Sequence, residues 1–101
     1  LAGEKFVSPD DYMTGNDNGD NETMFIGSDS DTLRWGNALI LPYQDQAGVG
    51  SVFAFGSAHA GSFNMCFCDG SVQSISYSID AETHRRLANR KDGEIVDAKN
   101  L

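Results

Sequence analysis

Five carboxylates in one turn-rich stretch, Asp17, Asp20, Glu22, Asp29 and Asp31, are the residues of this chain best suited to holding a metal ion. Calcium prefers hard oxygen ligands, and the run from Thr14 to Glu22 supplies carboxylates and amides separated by residues that bend tightly. EF-hand spacing is not met. With Gly19 at the sixth position, Thr14 stands first and Phe25 twelfth, where the motif needs a carboxylate and a glutamate. The same composition also suits a solvated loop closed by Asx-turns, so calcium rests here on ligand chemistry alone.

A second group, His59, Cys66, Cys68 and Asp69, has the residue types of a zinc site or a reactive pair. The Cys-x-Cys spacing lacks the second pair that structural zinc sites use. A hydrolase would have to use His59 and Asp69, and no orienting partner or oxyanion site for a nucleophile is evident in the sequence. The simpler expectation is structural: His59 fixes a turn, Asp69 makes a chain reversal, and the two cysteines are free thiols. In an extended strand they would point to one face about 7 Å apart, too far for a disulfide. Trp35, Tyr43 and Phe53 near acidic residues could form a carbohydrate platform, although core packing is the commoner fate of such side chains. His84 reads as a surface helix residue.

The elements that must position these groups centre on a hairpin. Asp69-Gly70 between alternating β-prone runs predicts strands over about 62–68 and 71–79, joined by a two-residue type I′ turn with φ > 0 at both central residues. Phe63, Met65 and Phe67 then share one face. Phe67 falls opposite Val72, however, which puts Ile75, Tyr77 and Ile79 on the other face. Either both faces are covered, with Cys66 and Cys68 beneath apolar neighbours, or a bulge near Gln73-Ser74 resets the register; the first is the expectation. Asp80 is a helix N-cap with Glu82 in the first turn and basic residues near the end, predicting a helix over about 81–89 stopped by Asp92-Gly93. Residues 1–7 predict a strand ended by Ser8-Pro9, and 94–96 a short terminal strand. Residues 51–55 predict a strand or an irregular core segment stopped by Gly56. Residues 10–31 form a long acidic loop around the apolar island Met24-Phe25-Ile26-Gly27, and Trp35 is expected to anchor 32–41 against the core.

The chain of 101 residues is read as one domain, α+β and mostly antiparallel, with a single modest core. Fifteen acidic against seven basic residues give a net charge of −8, which argues against nucleic acid or an anionic membrane surface as a partner. No run is apolar enough to span a membrane. The chain opens at Leu1 without an initiator Met and is read as part of a longer protein.

His59, nine residues, then Asp69-Gly70 resembles the signature of the prepilin-type, processing-associated H-x9-DG family of pilin-like bacterial envelope proteins of unknown function. The flanks agree: Phe55-Gly56-Ser57-Ala58 before it, Phe67-Cys68 and Ser71-Val72 around the reversal, and Ser76 to Leu87 after it. The resemblance implies the globular part of a pilin- or pseudopilin-like exported protein, located in the periplasm or at the cell surface. Its partners would be other pilin-like subunits or secreted cargo of a type II secretion or type IV pilus-like assembly. Membrane association would come only through an N-terminal helix that this chain does not contain. Related pseudopilins hold a loop with calcium, which adds to the expectation for Asp17, Asp20, Glu22, Asp29 and Asp31. The functional expectation is a non-enzymatic structural or interaction domain, with His59, Asp69 and Gly70 as a structural signature. The alternative is a secreted carbohydrate- or ligand-binding module.

Overall fold

The computed structural model describes all residues except Met24, Arg90 and Asp92. Its class is α+β. Strands β1 (Ala2–Gly3), β4 (Ser62–Cys66) and β5 (Val72–Ser76) form an antiparallel sheet in the order β1-β4-β5. Strands β2 (Tyr43–Gln44) and β3 (Gly56–Ser57) form a parallel pair, which the sequence did not announce. A bridge between Lys5 and Phe55 ties the two sheets together: Phe6 N donates to Ala54 O at 3.2 Å, and Gly56 N to Glu4 O at 3.1 Å. The expected N-terminal strand is thus present in part, and a 3-10 turn over Pro9–Asp11 ends it. Residues 51–55 form no strand; β3 starts at Gly56, the residue expected to end one.

The hairpin differs from expectation in a way that accounts for the core. Asp69 does not have positive φ, whereas Gly70 has φ of 85°. Gly70 N donates to Phe67 O at 2.9 Å and Phe67 N to Ser71 O at 2.8 Å. The loop is therefore the three residues Cys68, Asp69 and Gly70, a tight turn followed by a left-handed glycine, and not a type I′ turn. Phe63 now faces Ile75 and Met65 faces Gln73. That one-residue shift brings Phe63, Met65 and Ile75 to one buried face, with Phe55 and Ile79 completing the cluster. The other face is solvated. Cys66 lies on it, exposed, and not beneath apolar neighbours.

Because the left-handed region costs an L side chain roughly 1–2 kcal/mol, Gly70→Val is expected to lower the unfolding free energy by about that amount, measured by urea denaturation. A parent-like midpoint would contradict the turn described above.

Asp80 caps helix α1 (Ala81–Leu87) as expected, its Oδ2 accepting from Glu82 N and Thr83 N, both at 3.1 Å. The helix is shorter than the 81–89 expected, because Ala88 N and Asn89 N already turn back to Arg85 O and Arg86 O, at 3.2 Å each. Asp92, half of the expected stop signal, lies outside the described residues, as does Met24 of the apolar island. Residues 94–96 form no strand; the end of the chain instead makes a 3-10 turn over Ala98–Asn100, and Leu101 packs against the core. No helix among the described residues is long and apolar enough to cross a membrane.

Candidate functional site

The acidic loop is organised by cations of the chain itself. Lys5 Nζ lies 2.5 Å from Asp20 Oδ1 and donates to the carbonyls of Gly19 at 2.8 Å and Asp31 at 3.1 Å. Arg34 donates to the carbonyls of Gly19 at 3.2 Å, of Leu33 at 2.8 Å and of Ser30. Burial lowers the Arg34 guanidinium from its ordinary value, while Asp17, Asp31 and Asp20 act in the opposite direction. Asp17 is buried and bonded internally, accepting from Ser8 N at 2.9 Å and Gly19 N at 2.8 Å. Asp31 is buried and accepts from Glu22 N.

Of the carboxylates Asp17, Asp20, Glu22, Asp29 and Asp31, three, Asp17, Asp20 and Asp31, act on the Arg34 guanidinium. Among the described residues no group of three or more His, Cys, Asp or Glu side chains could hold a metal ion. Lys5 and Arg34 bring an ammonium and a guanidinium to the oxygens of this loop. The signal was available in the sequence: Lys5 and Arg34 are the only basic residues other than His before Arg85, and they bracket the loop. Calcium and chelator are accordingly expected to leave the thermal midpoint unchanged, whereas Arg34→Met should cost about 1–2 kcal/mol by stranding carbonyl acceptors. A calcium-dependent rise in the midpoint would contradict this.

His59 and Asp69 are held at opposite ends of β4, whose five residues span roughly 16 Å. They share no chemistry. His59 Nε2 lies 3.1 Å from Glu4 Oε1, and Glu4 Oε2 accepts from Asn64 N at 2.7 Å, so the histidine pins the N-terminal segment to the hairpin. Asp69 Oδ1 accepts from Ser71 Oγ at 2.7 Å and Ser71 N at 2.9 Å, which lowers its carboxyl below the ordinary value. Two residues outside the signature complete the turn before β4. Ser57 Oγ donates to Ser62 O at 3.1 Å and lies 2.7 Å from the Tyr77 hydroxyl, which donates to His59 O at 3.0 Å. Cys66 and Cys68 are exposed free thiols.

The aromatic residues separate into two roles. Tyr43 is half-buried against Phe6, with ring centroids 4.6 Å apart. Trp35 is not in the core: it is 54% exposed and meets Phe53, 45% exposed, edge to face at 5.5 Å. Trp35 N donates to Phe53 O at 2.8 Å, fixing the two backbones together. Leu33, Leu39 and Leu41, neighbours of Trp35 in the chain, are also exposed, Leu39 almost fully at 94%. Phe53 further forms one wall of an open cleft of about 510 Å³ lined also by Asp10, Asn16, Asp17 and Asn18.

His84 is the largest departure from expectation on the helix. It is buried, 1% exposed, with its ring edge-on to Phe55 at 6.2 Å. Both ring nitrogens are buried, and among the described residues neither makes a hydrogen bond of good geometry. Burial lowers its value below that of an ordinary histidine; the backbone of Ile40 and Trp35 beside the ring opposes that shift.

Residues 40–82, less than half of the chain, match a family model described as "Protein of unknown function (DUF1559)", a family of bacterial proteins. The matched segment contains β2 to β5, the pair His59 and Asp69, and the first two residues of α1. No curated protein matches the chain, and no solved structure does.

Proposed function

We propose that this chain is a non-enzymatic interaction domain of an exported, pilin- or pseudopilin-like protein, and that it docks onto a protein partner through the face formed by Trp35, Phe53 and the exposed leucines around Trp35. The carrying observation is the Trp35–Phe53 pair. Two aromatic rings are held in a fixed mutual geometry at the surface, where burying them on a partner would release apolar area at little cost in side-chain entropy. Titratable groups elsewhere have structural duties. His59, Asp69, Asp17 and Asp31 are each bonded within the fold, which favours binding over catalysis. The partner class, a neighbouring pilin-like subunit or secreted cargo, rests on the likeness of His59 to Gly70 and its flanks to the H-x9-DG signature.

A second reading uses the same pair: a carbohydrate stacking on Trp35 and Phe53, with Asn16 and Asn18 in the adjoining cleft meeting its hydroxyls. The readings separate by experiment. A photo-crosslinker at Leu39 in the full-length protein, in its own cells, should yield a discrete protein adduct, while one at the also exposed Val72 on the hairpin should not. Glycan-array binding lost on Trp35→Ala, with no protein adduct from Leu39, would replace the first reading by the second.

A further inference from the structure

The chain carries its charge unevenly. Residues 10–31 hold seven carboxylates and no Lys or Arg, whereas residues 81–91 hold four cations, Arg85, Arg86, Arg90 and Lys91, against the single carboxylate Glu82. Lys5 and Arg34 attend to the base of the acidic loop, at Asp20 and at the carbonyls of Gly19, Ser30 and Asp31. The tip is left unbalanced: among the described residues no cation pairs with Glu22 or Asp29. That tip also presents apolar surface. Phe25 is 86% exposed, with Ile26 exposed beside it. Phe25 N donates to Thr23 Oγ1 at 2.9 Å and Ile26 N to Thr23 O at 3.1 Å, so local turns fix the backbone that carries both side chains.

An open cleft of about 870 Å³ at the end of α1 has the complementary character. Phe55, Leu87 and Ala88 give it apolar lining, Arg34, Arg85 and Lys91 give it positive charge, and no carboxylate lines it among the described residues. Its floor is closely packed, since a Cβ built on Gly36 would stand 2.3 Å from Ala88 Cβ. Lys91 has no ion-pair partner among the described residues. Glu82 is shared by Arg85 at 2.5 Å and Arg86 at 3.2 Å, and Glu94 lies 3.7 Å from Arg86. No residue between 20 and 29 lines the cleft, so the tip of the same chain does not fill it.

We propose that the acidic tip of one copy, with Phe25 and Ile26 at its centre, docks into this basic cleft of a second copy. Glu22 and Asp29 then meet Arg85 and Lys91 with opposite sign, and Phe25 acts as an aromatic anchor against the apolar lining. A chain of net charge −8 repels its own copies over most orientations, and this pairing of surfaces has the favourable sign. Electrostatics therefore selects the orientation as well as the contact. Tip and cleft are different surfaces, so the contact is heterologous. Each docked copy still offers one free tip and one free cleft, and association propagates as a ring or an open filament. Neither Trp35 nor Phe53 lines the cleft, which leaves their face free for another partner.

A photo-crosslinker at Ile26 in the full-length protein, in its own cells, tests this. The expected product is an adduct between two copies whose junction maps by mass spectrometry to the cleft, at residues 85–91 or Cys68. Lys91→Glu and Glu22→Lys, both at exposed positions, should each reduce its yield about tenfold while leaving the denaturation midpoint near that of the parent, and the double variant should recover it. Absence of an adduct, an adduct with a different protein, or a junction at the second copy's own tip overturns the proposal. So does a yield that Lys91→Glu leaves unmoved, or a double variant as depleted as either single one. Trp35→Ala should leave the Ile26 adduct unchanged, so that this contact and the Trp35–Phe53 face stand or fall separately.

Discussion

Replacing Phe63 by alanine is expected to cost about 3–5 kcal/mol, the usual range for removing a fully buried aromatic ring. Phe63 has no exposed surface and sits between two other rings, Phe55 at 6.2 Å and Tyr77 at 5.9 Å, both in stacked orientation. It also joins the sheet's buried face to Met65, Ile75 and Ile79. A domain of this size typically has about 5–15 kcal/mol in total, so the variant should be marginal at room temperature, with a large drop in the urea midpoint. Phe63→Leu, which retains most of the volume, should cost clearly less. A loss below about 1 kcal/mol for the alanine variant would mean that the hairpin register, which aims Phe63 inward, is wrong.

Trp35→Ala makes the opposite prediction, a small effect on stability and a large one on association. More than half of the side chain faces water and its partner ring Phe53 is similarly exposed, so the folded state should lose little, within about 1 kcal/mol. An interface anchored on a tryptophan typically loses 2 kcal/mol or more on truncation, about thirtyfold or greater in affinity. Phe53→Ala should give a similar loss, and the two should be non-additive because the rings touch. Stability is read by denaturation and association by adduct yield from Leu39.

The parts of this structure that could be read from the sequence are those decided by near neighbours. The capping of α1 by Asp80 involves residues two and three positions on, and the break after residue 7 involves Pro9. The hairpin lies midway. Asp69-Gly70 identifies the reversal, but the dipeptide suits both a two-residue and a three-residue loop, and the two place every second-strand side chain on opposite faces. What decides between them is that Phe63, Met65 and Ile75 share one core, and demanding one apolar face would have selected the observed register.

The surroundings of the acidic loop are hidden for a different reason. The groups that balance its charge, Lys5 and Arg34, come from its two flanks and not from the loop itself. Trp35 and His84 exchanged their expected places. The exposure of one and the burial of the other are both set by residues 35–40 lying on α1, a contact between segments far apart in sequence that neither local periodicity nor residue type encodes.

The central claim is that Trp35 and Phe53 form a docking face, and the most direct measurement is the protein adduct formed from a crosslinker at Leu39 in the full-length protein, compared between the parent and Trp35→Ala. The account predicts a discrete adduct that Trp35→Ala reduces at least tenfold while the fold's denaturation midpoint stays near that of the parent. An adduct of undiminished yield in Trp35→Ala, or none in the parent, would contradict it.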